Sequence, residues 1–494
     1  MNPLMSIDFY KADHRRQYPE GTEYVYSNFT PRSSRLANML EGYDDRIVFL
    51  GLQVYIKRVL MGQWQAAFFD QPREKVLRQY QRRMDNALGE GAVDVEHIGA
   101  LHDLGYLPIK IKALPEGSRV NMKVPVFTVI NTLPEFFWLT NYLETSISAE
   151  VWKPCTTATI AYEYKRLLTD YAKRTGSPLD FVAIQAHDFS FRGMSGSEDA
   201  AISGLGHLTS FIGTDSVAAI DFAEHYYDAE GVVGVSVPAT EHSVMCMGTK
   251  ASEIETFKRL INELYPSGVV SIVSDTWDFW KVITQYTAAL KQDILARKPN
   301  AQGLSKVVFR PDSGDPVKVI CGDPDAPFGS PQYKGAVECL WDIFGGTETN
   351  RGYKLISDRV GLIYGDSITL ERAKTILDKL LAKGFGSGNI VFGIGSYTYQ
   401  YLTRDTLGFA MKATWGQVDG EGREIFKDPI TDSGDKKSAA GLLRVEKTQY
   451  GFKLSDRQTP AQEAQGALET VFENGKLLKS VGFESIRKRL ESNV

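Results

Sequence analysis

The chain has 494 residues, with 56 basic and 61 acidic side chains and a net charge of −5. It is 43% hydrophobic and 24% charged, an ordinary globular composition long enough for two or three structural units. The mildly acidic balance argues against a nucleic-acid binder, which is usually basic overall, yet allows a local basic pocket for phosphates.

The opening stretch MNPLMSIDFYKADHRRQYPEG mixes acids and bases and has no apolar h-region, so no signal peptide is expected. No run of about 18 apolar residues follows anywhere, so no membrane span is expected. Residues 46–62, RIVFLGLQVYIKRVLMG, read as helical, and 72–90 as a charged helix. GSRVNMKVPVFTVINT reads as a strand pair and EFFWLTNYLETSISAEV as a buried helix. Cys155, Cys246, Cys321 and Cys339 are scattered, with no C-x-x-C pair. That spacing argues against a disulfide framework or a zinc site and for reduced thiols in a cytoplasmic protein.

From about residue 181 a repeat of pattern begins, without repeat of identity. Short apolar runs end in polar or small residues: FVAIQAHDFSFRG, LTSFIGTDS, GVVGVSVPATEHS, GVVSIVSDTWD, KVVFRPDSGD, VGLIYGDS and NIVFGIGS. The runs are β-branched and continuous, as in strands buried on both faces of a parallel sheet. Helical patterns separate several of them. In TLERAKTILDKLLAKG, Leu370, Ala373, Ile376, Leu377, Leu380 and Leu381 share one face, and Gly384 is a stop. SEIETFKRLINEL and DFWKVITQYTAALKQDI behave alike. Strand, polar loop and helix in about seven rounds point to an α/β barrel or an open doubly wound sheet, whose functional groups gather at the carboxyl ends of the strands. After residue 400, LGFAMKATWGQVDGEGREIFKD and GLLRVEKTQYGFKLS read as antiparallel strands with Gly-containing turns.

These patterns predict a β-rich unit from both chain ends (1–35, 105–150 and 400–494), a helical insert at 36–104 and an α/β barrel at 151–399. Any single polar cluster is explained by turn chemistry alone, since Asp, Ser and Gly are turn residues. Seven in series carrying His, Arg and Asp are not. No G-x-x-x-x-G-K-[ST] and no strand-linked G-x-G-x-x-G is present. FGIGS after an apolar run could still offer backbone N–H groups to a phosphate. Asp215, Asp275, Asp312 and Asp366 each end an expected strand and would repel one another without cations. Arg192, Arg310 and Arg404 are cations suited to bidentate phosphate contacts. Acids, arginines and a glycine loop together suit a polyphosphate with Mg²⁺. His242 in PATEHS reads either as a helix-start or core histidine, or as a nucleophile or base oriented by a carboxylate, with Glu241 adjacent.

The motifs DFYKADHRRQYPEGT, VYSNFTPR, VPVFTVINTLPEFFWLTNYLET, AHDFSFRG, GTDSV, VPATEHS, SIVSDTWD, FRPDSGDP, YGDS, NIVFGIGS, LTRDTLGFAMKAT and FKDPITD, in this order and nearly end to end, resemble the nicotinamide phosphoribosyltransferase family. The resemblance implies the type II phosphoribosyltransferase fold, an irregular α/β barrel with a β-rich domain built from both chain ends and a helical insert, in a homodimer with shared active sites. It implies that nicotinamide and phosphoribosyl pyrophosphate give nicotinamide mononucleotide and pyrophosphate, with Mg²⁺ as cofactor and ATP as coupled substrate. By resemblance Phe189 and a partner subunit's Tyr10 sandwich the pyridine ring. Arg192 meets the amide oxygen or the product phosphate, and Asp215 accepts from the amide NH₂. Ser271, Asp275, Arg310 and Asp312 hold ribose, pyrophosphate and metal, the metal through Asp275 and Asp312. Gly365 and Asp366 contact the ribose hydroxyls, while Gly395, Ser396 and Arg404 bind the 5′-phosphate. Arg32, Lys412 and Lys427 reach pyrophosphate or ATP phosphates from the neighbouring subunit, and His242 is the phosphorylated histidine. Where the family has a glycine run this chain has GIGSYTYQ, so Tyr397 either narrows the phosphate loop or turns away. Two other readings stand beside this one: a nicotinate phosphoribosyltransferase, which shares the fold, and a non-catalytic dimeric binding protein.

Overall fold

The structure is a computed structural model that describes residues 2–427 and 439–492. Two sheets of different character organise it. The first is a seven-stranded antiparallel sheet, ordered Glu421–Glu424, Ala410–Val418, Thr22–Thr30, Phe127–Asn131, Ile109–Ala113, Glu469–Glu473 and Lys476–Leu477. Strands from both chain ends therefore lie side by side, as Thr22–Thr30 does between Ala410–Val418 and Phe127–Asn131. Its buried face is aromatic: Phe29 stacks between Phe127 and Phe409 at centroid distances of 5.0 and 5.2 Å.

The second sheet is parallel and closes on itself. Six strands run in the order Gly213–Thr214, Ala186–Asp188, Val391–Ile394, Val360–Tyr364, Ser305–Arg310 and Gly268–Val273. The extended segment 233–240 fills the gap between the two edges. It bridges Val235 to Gly213 and Ala239 to Ser271, both in the parallel sense. Four backbone hydrogen bonds seat it: Thr214 N to Val235 O (3.0 Å), Val235 N to Ile212 O (2.7 Å), Thr240 N to Ser271 O (2.9 Å) and Ser271 N to Pro238 O (2.9 Å). The seven polar clusters of the sequence are thus the ends of six strands and one irregular stave, and the ring is an α/β barrel rather than an open sheet.

Alternation along the staves builds the site. Val270, Ile272, Val307, Phe309, Tyr364, Phe392 and Ile394 are buried in the core between strands and outer helices, while Ser271, Val308, Arg310 and Ile363 border a central cavity of about 1270 Å³. Of the outer helices, Leu370–Ala382 buries Leu370, Ala373, Ile376, Leu377 and Leu380 as the 3.6-residue period requires, while Leu381 is only partly covered. Thr369 accepts from Arg372 N at its start, and Gly384 follows at φ +77°.

Helix Glu144–Thr175 runs 32 residues, much longer than the segment read from sequence, and crosses residue 150 without a break. Ile147 and Val151 pack into the core of the β-rich part, and Tyr164 and Leu168 into that of the barrel. Arg46–Val48 is a strand, paired with Arg119–Asn121, and the helix begins only at Leu52. Gly51 at φ +98° makes the break, and its missing side chain admits the Pro154 ring of the long helix. Arg119–Asn121 and Phe127–Asn131 do not pair with each other; their partners lie in different sheets. Among the described residues no helix is long and apolar enough to cross a membrane.

Candidate active site

The carboxyl ends of the barrel strands carry three connected groups of side chains. One surrounds Asp215. His187 Nε2 donates to its Oδ1 at 2.9 Å, and Ser236 Oγ donates to the same oxygen at 2.6 Å. Burial raises the Asp215 pKa; the His187 and Ser236 hydrogen bonds and the charges of His187 and Arg310 outweigh this and leave it below the usual carboxylate value. Asp215 is therefore ionised near neutral pH, and its Oδ2 accepts no hydrogen bond among the described residues. Phe189, Ser271 and Arg310 line the same cavity. The Arg310 guanidinium donates one hydrogen bond, to Thr240 O at 2.8 Å; its buried Nε has no hydrogen-bond partner among the described residues and lies 4.0 Å from Asp312 Oδ1.

The second group joins the loops after Gly268–Val273 and Ser305–Arg310. Asp275 Oδ2 accepts from Asp312 N (2.9 Å) and Ser313 Oγ (2.6 Å), and His242 Nε2 lies 3.1 Å from its Oδ1. For Asp275, burial raises the pKa; bonds from Ser313, the Asp312 N–H and His242 more than offset it, so the carboxylate titrates low. Asp312 moves the other way: burial first, then the nearby charges of Asp275 and Asp366, lift it despite Arg310. The carboxylate that orients His242 is thus Asp275, not Glu241. Glu241 precedes the helix His242–Met247 and accepts from Ser243 Oγ instead.

The third group is the loop after Val391–Ile394. Ser396 packs directly onto Gly193, beside exposed Arg192. Tyr397 does not border the cavity. Its ring turns out to solvent and lies parallel to Tyr401 at 5.6 Å and 1°, which leaves the loop unobstructed. Gly365 has no room for a Cβ, which would sit 2.9 Å from Asp312 Oδ1, so the YGDS and RPDSG turns are in contact.

A separate basic cluster lies on the β-rich part. The Lys412 ammonium is lowered by burial, opposed by Glu144, and lowered further by Arg32, Lys427 and Arg404, so all three cations are close to it. Arg32 is anchored through Nε to Gly408 O at 2.9 Å. Tyr10 is exposed, set edge-on to His14 with Lys11 over its ring. No hydrogen bond or ion pair among the described residues ties Tyr10, Arg32 or Lys412 to the His242–Asp275–Asp312 group. Residues 428–432 of the FKDPITD motif lie outside the described residues.

Comparison with known proteins places this geometry. The model of the nicotinate phosphoribosyltransferase (NAPRTase) family matches residues 184–476, and that of the nicotinamide phosphoribosyltransferase N-terminal domain matches 2–111. A nicotinamide phosphoribosyltransferase of Acinetobacter baylyi is 71% identical over 99% of this chain and 97% of its own. The chain belongs to the nicotinate phosphoribosyltransferase family, on its nicotinamide branch. A nicotinamide phosphoribosyltransferase of Xanthomonas campestris is 32% identical over 99% of this chain and 98% of its own. Among solved structures, the fold is similar to human nicotinic acid phosphoribosyltransferase, at a TM-score of 0.58 and 15% identity over 98% of this chain and 93% of that one. It is also similar to a nicotinate-nucleotide pyrophosphorylase of Pyrococcus furiosus, at 0.56 and 13% over 100% and 95%.

Three members of the site escape a sequence reading. His187 and Ser236 sit in quoted motifs, but only the barrel's closure shows that both reach Asp215. Gly393, the first glycine of GIGS, was read as part of a phosphate loop. A Cβ there would fall 2.5 Å from Phe189 Cδ2 and 2.6 Å from Gly365 Cα, so Gly393 makes the seat for the Phe189 ring. No local signal distinguishes it from Gly395, where a Cβ would meet nothing within 4 Å.

Proposed function

We infer that the protein transfers the phosphoribosyl group of phosphoribosyl pyrophosphate to the ring nitrogen of nicotinamide, giving nicotinamide mononucleotide and pyrophosphate in NAD salvage in the cytoplasm. The observation that carries the choice of base is the ionised Asp215, which lines the cavity with Phe189 and whose Oδ2 accepts no hydrogen bond among the described residues. The amide NH₂ of a neutral pyridine donates to such an oxygen; the carboxylate of nicotinate is repelled by it. Phe189 supplies one stacking face, and the exposed Tyr10 of a second subunit the other.

The ring nitrogen has its own lone pair, so no base need act on nicotinamide. Loss of pyrophosphate leaves positive charge on the ribose, which Asp312 and Asp366 stabilise, while Arg192 and the Ser396 loop hold the 5′-phosphate; Arg404 lies with Lys412 in the basic cluster and serves phosphates from there. The acidic pair fits Mg²⁺. Asp312 is buried against the charges of Asp275 and Asp366, a repulsion that a hard divalent cation relieves. Asp275 has both oxygens engaged by protein donors, so its part in holding metal is through water. When bound, the ion neutralises the leaving pyrophosphate.

ATP enters at His242. With Nε2–H donating to Asp275, the lone pair lies on Nδ1, which takes the γ-phosphoryl group as the P–O bond to ADP breaks. Arg32, Lys412 and Lys427 of a homodimer partner serve the phosphates. This accounts for Arg32 and Lys412, which among the described residues have no hydrogen bond or ion pair to the His242–Asp275–Asp312 group.

The test is a paired assay with Mg²⁺, ATP, phosphoribosyl pyrophosphate and either nicotinamide or nicotinate. Mononucleotide from nicotinamide alone is expected; product mainly from nicotinate would overturn the base assignment. Asp215→Asn is expected to lower kcat/KM for nicotinamide roughly ten- to a hundredfold, as befits a hydrogen bond to a charged group worth about 1.5–3 kcal/mol. The disfavour of nicotinate should shrink in the same assay.

A further inference from the structure

We propose that His187 and Ser236 act as a two-point clamp on Asp215, holding Oδ1 so that Oδ2 faces the carboxamide, and that this clamp sets the preference for amide over acid. The proposal rests on the base reading above and deepens it. Asp215 is half exposed at the end of a two-residue strand, a place where a carboxylate is otherwise free to rotate about its terminal torsion. Its two donors come from opposite neighbours in the ring of staves. His187 belongs to Ala186–Asp188, and Ser236 to the closing segment 233–240. Both converge on one oxygen, at 2.9 and 2.6 Å, so they fix the carboxylate plane and leave the other oxygen as the open acceptor.

The His187 ring is itself immobilised. Phe189 lies 4.8 Å away at 45°, and a Cβ on Gly213 would come 2.8 Å from His187 Nδ1, so the ring rests against a backbone that only glycine leaves clear. Because the acceptor is a carboxylate, Nε2 carries the hydrogen. Ser236 is placed just as firmly, one residue after the Val235 bridge to Gly213. The irregular stave thus delivers a hydroxyl to the base pocket as well as closing the barrel. His187 and Ser236 are positioning residues: they act on nicotinamide through Asp215.

The experiment compares His187→Phe, Ser236→Ala, the double variant, Ser236→Thr and Asp215→Asn in steady-state assays with nicotinamide, nicotinate and varied phosphoribosyl pyrophosphate. His187→Phe keeps an aromatic ring but removes the donor. Loss of either donor is expected to raise KM for nicotinamide roughly 5- to 20-fold, less than the ten- to a hundredfold expected for Asp215→Asn, because the second donor still holds the carboxylate. kcat and the KM for phosphoribosyl pyrophosphate should stay near wild type, the nicotinamide-to-nicotinate selectivity should fall, and Ser236→Thr should retain it. Unchanged selectivity in the double variant, with Asp215→Asn still shifting it, overturns the clamp while sparing the base assignment. If Asp215→Asn leaves selectivity unchanged, the base assignment itself fails and the clamp with it. Equal losses with both bases and a raised KM for phosphoribosyl pyrophosphate would reveal a merely structural role and also overturn the proposal. Should His187→Phe not fold, Ser236→Ala and Ser236→Thr carry the same comparison.

Discussion

Gly393→Ala is expected to lower kcat/KM for nicotinamide by about a hundredfold, the cost of moving a binding group by roughly 1 Å. The added methyl has no soft neighbour. It meets the Phe189 ring at 2.5 Å on one side and the Gly365 backbone at 2.6 Å on the other. A flexible side chain would yield, but Gly365 belongs to the next barrel strand's end and is in turn close to Asp312. The ring must therefore move, and the moving ring is the proposed stacking face for the base. Overpacking of this kind also costs about 1–3 kcal/mol of stability, measurable as a lower denaturant midpoint. Two readings separate the effects. The KM for nicotinamide should rise more than that for phosphoribosyl pyrophosphate, and Phe189→Ala should show the same bias. Wild-type kinetics in Gly393→Ala would mean that Phe189 does not stack on the base.

How much of this was readable in the sequence follows from the range of the interactions. The barrel was legible because each stave carries a local sign, a continuous β-branched run ending in polar residues, and seven such signs occur in chain order. The exception is instructive. GVVGVSVPATEHS reads as one more strand, yet Pro238 has no N–H to give to a ladder and only two bridges form among the described residues. Arg46–Val48 was hidden inside an apolar run because three residues carry no period, and its partner lies 73 positions away. The same holds in the site. Asp275 was recognisable at a strand end, but its role as the common acceptor for His242, Ser313 and the Asp312 N–H depends on two loops meeting. Glu241 was the natural guess from adjacency, and adjacency along an extended chain points side chains apart. Arg32, Arg404, Lys412 and Lys427 have no common sequence pattern. Arg404 was legible as a phosphate-suited cation, whereas Arg32, Lys412 and Lys427 came from family resemblance; the sheet pairing of Thr22–Thr30 with Ala410–Val418 brings the segments that carry Arg32 and Lys412 together.

His242→Ala is expected to abolish stimulation by ATP while leaving a slow ATP-independent transfer. The histidine is half exposed at the barrel mouth, and its one side-chain hydrogen bond among the described residues is to Asp275. Its removal takes away the proposed Nδ1 nucleophile but leaves Asp275 tied to Asp312 N and Ser313 Oγ, so the loops proposed to hold the phosphoribosyl donor keep their geometry. Acid-labile label from γ-labelled ATP should appear on the wild-type protein in the presence of Mg²⁺ and be absent from the variant. Asp275→Ala provides the contrast. It strips the histidine of its orienting carboxylate and also deprives the Asp312 N–H and the Ser313 hydroxyl of their acceptor, so transfer should fall both with and without ATP. The Ser313 hydroxyl is exposed and can turn to water, but the Asp312 N–H is partly buried; leaving a buried donor unpaired costs about 1–3 kcal/mol, enough to loosen the loop that carries Asp312. If His242→Ala instead lost activity equally with and without ATP, the histidine would belong with Asp275 and Asp312 in holding the donor, and the coupling of ATP to the reaction would have to run through another group.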